Sequence, residues 1–264
     1  MVFAGLAGVI CLSWLYILAG AGMDMSGMDM SGVDTSGVDT SDLVPTTGTP
    51  LAGMMALRAA WSPSYFLLML LMWWVMMLAM MLPSAAPMIL LYATVNRSKR
   101  ERGNPFAPTG IFGAGYVIAW GAFSFIATLL QWSLEEAALL SPMMESSSLW
   151  FGAALLIAAG IYQLTPLKQA CLKNCQSPLG FLMHHWRPGR QGALIMGLEH
   201  GAYCLGCCWV LMGLLFFGGV MNLLWIAGLA VFVMIEKIVI NPWISRYSGL
   251  ILILWGAGLA VLGL

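Results

Sequence analysis

From Ser64 to Thr94 the chain runs without one Asp, Glu, Lys, Arg or His. A helix needs roughly 20 mostly apolar residues to cross a bilayer, so this run alone sets the solvent in which the chain can fold. Composition points the same way: 61% of the 264 residues are hydrophobic and 8% are charged, against roughly 25% charged in a soluble domain. Net charge is zero, which removes any bulk electrostatic attraction to nucleic acid. The expected fold class is all-α, a polytopic membrane helix bundle in contact with lipid.

Seven apolar segments are expected to span, at about 2–21, 64–94, 108–133, 148–167, 191–216, 219–240 and 248–264. The second is too long for a straight span, and Pro83 and Pro87 are placed to kink it. Three regions follow: an N-terminal transmembrane helix at 1–22, a flexible loop rich in Met, Gly, Ser and Asp at 23–63, and a multi-helix membrane domain at 64–264. The first segment has no Lys or Arg ahead of its apolar run, which favours a retained anchor over a signal peptide. Ala19-Gly20-Ala21 would nonetheless permit cleavage.

The basic residues sort by loop. Arg97, Lys99, Arg100 and Arg102 follow the second segment, and Lys168, Lys173, Arg187 and Arg190 lie between the fourth and fifth. Acidic residues fill the alternate loops, from Asp24 to Asp42 and at Glu135, Glu136 and Glu145. Basic loops stay cytoplasmic, so the N-terminus is expected inside and the C-terminus outside. None of the six cysteines falls in an outward loop, which argues against a stapling disulfide framework.

"MDMSGMDMSGVDTSGVDTSD" is a five-residue unit repeated four times. Gly and Ser make it a tether, while Met23, Met25, Met28 and Met30 supply soft thioether donors that suit Cu(I). A linker without ligand role fits equally, since the last two copies carry Val and Thr instead.

"LEHGAYCLGCCWVLM", residues 198–212, is stranger. At about 100° per residue, Met196, His200, Cys204, Cys207 and Cys208 share one third of a helix circumference, with Glu199 turned away. Intramembrane polar groups usually mark function. His200 and Cys207 are about 10 Å apart along the axis, so one ion cannot take all of them and a second helix must contribute. "LLMLLMWWVMMLAMMLPSAAPM" offers Met76 and Met80 at a similar depth. A Met stripe also serves as plain packing. Cys171 and Cys175 at i, i+4, with His184 and His185 nearby, form a candidate inner acceptor site. Glu236 and Lys237 are read as a snorkelling pair at the interface.

These stretches, with "YQLTPLKQACLKNCQSP" and "GLEHGAYCLGCCWVLMGLLFFGGVMNLLWIAGLA", resemble an uncharacterised bacterial family of predicted metal-binding integral membrane proteins, from about residue 65 to 240. The resemblance implies a multi-pass inner-membrane protein with a metal site at His200, Cys204, Cys207 and Cys208. It brings no activity. The expected cargo, Cu(I), rests on ligand softness, with transport or delivery to a metal-accepting partner as the role and an enzyme less favoured. The alternatives are a thiol–disulfide oxidoreductase using Cys204-x-x-Cys207, a haem protein and a structural membrane subunit.

Overall fold

A computed structural model describes residues 2–18, 61–101, 107–140, 144, 146 and 148–263. The Met-rich repeat, with Met23, Met25, Met28 and Met30, lies outside the described residues. Among the described residues the chain is helical, apart from an isolated bridge between Leu140 and Ser146. In chain order the helices are α1 (Val2–Leu18), α2 (Pro63–Glu101), α3 (Thr109–Glu136), α4 (Leu149–Leu164) and α5 (Pro166–Gln176). They continue as α6 (Pro178–His185), α7 (Gly189–Gly213), α8 (Leu215–Gly218), α9 (Leu223–Ile238) and α10 (Pro242–Leu262).

Local chemistry sets the ends. Thr165, Asn222 and Asn241 cap α5, α9 and α10, each side chain accepting an N–H from the first turn. Pro166, Pro178 and Pro242 occupy the first turns of their helices, where a missing N–H costs nothing.

Helix α2 continues through Pro83 and Pro87 for 39 residues. A proline removes the N–H that would bond four residues back, so Pro83 leaves the Ala79 carbonyl without its helical donor. The Trp14 indole supplies the bond, Nε1 to O at 3.1 Å. The residue that interrupts the α2 ladder therefore also docks α1.

Close approach of backbones holds the bundle. Gly197 and Gly201 of α7 face Gly115 and Ala119 of α3. A Cβ on Gly197 would run into the Phe112 carbonyl, and one on Gly115 into the Leu194–Leu198 backbone. Small residues four apart let two helix backbones approach closely. Helices α4 and α10 repeat the device, with Gly160 against Gly249 and Gly256 against the Ala153 carbonyl.

Among the described residues, four helical stretches are long and apolar enough to cross a membrane: Pro63–Lys99, Thr109–Glu136, Gly189–Gly218 and Pro242–Leu262. A fifth arises if α4 and α5, bent by 66° at Thr165, count as one span. The remaining two expected segments fold as shorter apolar helices, α1 of 17 residues and α9 of 16. At 1.5 Å per residue these reach about 25 Å, less than the roughly 30 Å hydrocarbon core.

The glycine contact is testable. We predict that Gly197→Ala lowers stability in detergent by about 1–3 kcal/mol, as overpacking does. Gly113→Ala on α3, with open space around it, changes stability by less than about 1 kcal/mol. Equal losses in thermal unfolding of the two variants would remove close approach as the cause.

Candidate functional site

The stripe on α7 turns inward: Met196, His200, Cys204, Cys207, Cys208 and Met212 are all buried. Glu199, about 100° round the helix from His200, points away and pairs with Arg187 at 2.7 Å.

Cys204 is the hub. Its Sγ accepts a hydrogen bond from Lys237 Nζ of α9 at 2.9 Å and lies 3.1 Å from the Tyr116 hydroxyl of α3. The Cys207 and Cys208 thiols both donate to the Cys204 carbonyl, at 3.0 and 2.9 Å. Cys208 Sγ also reaches Met81 Sδ of α2 at 4.0 Å. Helix α5 packs against α7, and its Cys175 lines one cavity with Cys204 and His200. Cys171 sits one turn earlier against Gly206, where a Cβ would come within 2.7 Å of its Sγ.

An ammonium has three N–H bonds to give, and Lys237 spends them inside the cluster. Beyond Cys204 its partners are Ser84 Oγ at 3.0 Å and Met81 Sδ at 3.7 Å. Glu236 turns elsewhere. It forms a buried ion pair with Lys168 of α5 at 2.7 Å and accepts from Ser245 Oγ of α10 at 2.8 Å. The expected snorkelling pair at the interface is thus corrected. Consecutive helical residues diverge by about 100°, so each of these charges finds its own partner in the interior.

His200 is walled by Phe112, Tyr116 and Phe181, with ring centroids 6.2, 5.8 and 5.5 Å away. Its Nδ1 is buried and has no hydrogen-bond partner among the described residues. A cavity of about 190 Å³ opens beside it, lined by His200, Cys204, Cys175, Lys237, Ser84 and Met88. An imidazole, two thiols and a thioether around one small space are a donor set for a soft cation. In this arrangement no three His, Cys, Asp or Glu side chains among the described residues are grouped tightly enough to hold an ion. To hold an ion there, the side chains would have to draw together or a thioether would have to complete the shell.

The structure gathers His200, Cys204, Cys207 and Cys208 as one buried face. It also draws in Cys175, read from sequence as part of a separate inner pair. Met76 and Met80 are buried in α2, but the thioether within reach of Cys208 belongs to Met81, one position further on. His184 and His185 bond back to the Gly180 and Phe181 carbonyls within α6. Sequence reading missed Met81, Ser84, Tyr116 and Lys237. Lys237 carried a signal, since a lysine in an apolar helix is a functional candidate by default. The other three look like ordinary bundle residues until the helices are assembled.

A family model described as PpoB2, copper chaperone, matches residues 70–259. No curated protein and no solved structure matches the chain.

The Lys168–Glu236 pair ties α5, which carries Cys175, to α9, which carries Lys237. Removing one partner of a buried pair strands a charge and costs about 3–5 kcal/mol. We predict that Lys168→Met and Glu236→Met each lose that much stability in detergent denaturation, and that Lys168→Met/Glu236→Met loses less than the two summed. Strict additivity would show that the two charges do not interact.

Proposed function

The chain belongs to the PpoB2 copper chaperone family, and from that premise we propose that it is a multi-pass membrane protein that holds Cu(I) among Cys175, Cys204, Cys207, Cys208 and Met81 and passes it to a partner protein. The observation that carries this reading is a buried sulfur cluster with an ammonium in a cation's place. Thiolate and thioether are the ligands that select Cu(I). Lys237 meets two of them, Cys204 and Met81, with a single charge of the sign that Cu(I) carries.

That coincidence suggests how loading works. Burying an uncompensated charge is expensive, so a metal-free thiolate in this site needs a cation beside it. Lys237 is that cation. When Cu(I) enters, it takes over the sulfur lone pairs and the ammonium withdraws towards the cavity it already lines. One positive charge replaces another, and the buried charge stays nearly constant. On release the ammonium returns to Cys204 and blocks rebinding. His200, which lines the cavity and has no hydrogen-bond partner for Nδ1, supplies a further donor during exchange.

Exposed Leu224, Leu254, Ile251 and Leu262 on the outer faces support lipid as the solvent, since apolar surface on that scale is costly in water. In this reading all seven apolar segments are associated with the bilayer, in a bacterial inner membrane, with the N-terminus cytoplasmic and the C-terminus outside. The two short helices then sit within locally thinned lipid or dock on longer neighbours. Met23, Met25, Met28 and Met30 collect the metal outside, and Cys171 beside Cys175 lies on the route of exit.

Two outcomes test the proposal. Elemental analysis of the purified chain should show that one copper per chain is lost in both Cys204→Ser and Cys208→Ser, and undiminished copper in both would end the reading. Lys237→Met should still load, but should surrender Cu(I) to a competing chelator about tenfold more slowly, because no buried like charge is left to displace the ion. Release at the original rate would reject the exchange of one cation for another.

A further inference from the structure

At the other end of α2 and α3 from the thiols, a second set of soft atoms converges on one nitrogen. Gln131 of α3 is fully buried. Its Nε2 lies 3.7 Å from Met69 Sδ, 3.4 Å from Met144 Sδ and 2.8 Å from Glu135 Oε1. The amide orientation is fixed from the far side, because the Trp73 indole donates to Gln131 Oε1 at 2.7 Å. The other carboxylate oxygen of Glu135 accepts from Trp61 Nε1 at 2.9 Å. An amide NH2 has two hydrogens, yet three acceptors face it, so the nitrogen is under-supplied with protons for its surroundings.

The backbone adds a second observation. Met144 adopts φ of +57°, the left-handed region that a non-glycine residue seldom enters. Its carbonyl is held there by the Val220 N–H at 3.4 Å. A strained backbone that delivers a thioether to a buried amide is hard to explain as packing, because glycine or asparagine would fill that turn with less strain.

We propose that Met69, Met144 and Glu135 form a second binding station for a soft monovalent cation, in which the ion takes the place of the Gln131 amide nitrogen. The inference rests on the reading above for the identity of the cargo and goes beyond it in assigning a site. Two thioethers and one carboxylate give a neutral complex with a single positive charge. Thioethers need no deprotonation, so this station loads without releasing a proton from sulfur, unlike the thiols. Glu135 is only partly buried, which leaves the station open to its end of the bundle. From Met69 to Met81 is 12 residues of helix, about 18 Å, so the two sites cannot share one ion.

The test is a silver titration of the full chain, purified in detergent and labelled at its methionine methyl carbons. Single Met69→Leu and Met144→Leu variants assign two resonances by their loss, and Met81→Leu assigns that of Met81. Both resonances should shift together and saturate, and should do so equally in a Cys204→Ser/Cys208→Ser chain. Glu135→Gln should raise the silver needed for half the shift by about tenfold. If the two resonances stay fixed while the Met81 resonance moves, the station is overturned and the thiol reading stands. If they move while Met81 does not, the station stands without it. Shifts that rise without saturation, or that ignore Glu135→Gln, also overturn the station.

Discussion

Everything around the thiols is arranged by the need to pair two adjacent charges buried on α9. Glu236 and Lys237 are both nearly inaccessible, and an unpaired ion in such a place costs several kcal/mol. Because neighbours on a helix diverge by about 100°, the two cannot neutralise each other through their side-chain tips. Two separate partners are needed, on two sides of α9. Lys168 fixes α5 on one side and Ser245 fixes α10 beside it. On the other side Cys204, Met81 and Ser84 gather α7 and α2 around the ammonium. The site is where four helices must meet if α9 is to be buried at all.

Charge pairing sets which helices meet, and glycine sets how closely. With side chains at Gly197 and Gly115, α7 would stand away from α3, and the Tyr116 hydroxyl would no longer lie 3.1 Å from Cys204. Tyr116 also donates to the Met81 carbonyl at 3.2 Å, so one hydroxyl touches both α2 and α7. Ser84 uses its own hydroxyl on the same carbonyl. These bonds crowd donors around the α2 backbone next to Pro83, where the ladder is already incomplete. A helix weakened at one point is thus held by neighbours at that point, which is where it brings Met81 to Cys208 and Lys237.

Much of this was legible in the sequence, for a physical reason. Periodicity within one helix is a local property, so the inward face of α7 and the outward turn of Glu199 could be read from spacing alone. Apolar length located α2, α3, α7 and α10. Register between helices is not local. Met80 and Met81 are equally apolar and adjacent, and only the rotation of α2 against α7 decides which one meets Cys208. Cys175 looked remote because 29 residues separate it from Cys204 in sequence, and the bend between α4 and α5 that returns it is written in a single Thr-Pro step. The Gln131 cluster was invisible, because glutamine in an apolar helix carries no sign of the three acceptors it will face.

The two sulfur clusters share a device. In each, a nitrogen donor with positive character occupies the space among sulfur atoms: an ammonium at Cys204 and Met81, an amide at Met69 and Met144. Between them α2 buries Met72, Met76, Met77 and Met80, at helical steps of about 5–6 Å. Thioethers are neutral and bind no proton, so an ion passing along them never has to wait for a ligand to ionise. A thiol can be charged, so a thiolate would hold a cation more tightly than a thioether, and a rival cation would be needed only there to release it. Lysine stands at the thiols and glutamine at the thioethers, which is the order expected if the ion arrives at the weaker station and ends at the stronger. On the two proposals made above, the two nitrogen donors would mark a weaker and a stronger station, and the difference between them would give the ion a direction along α2.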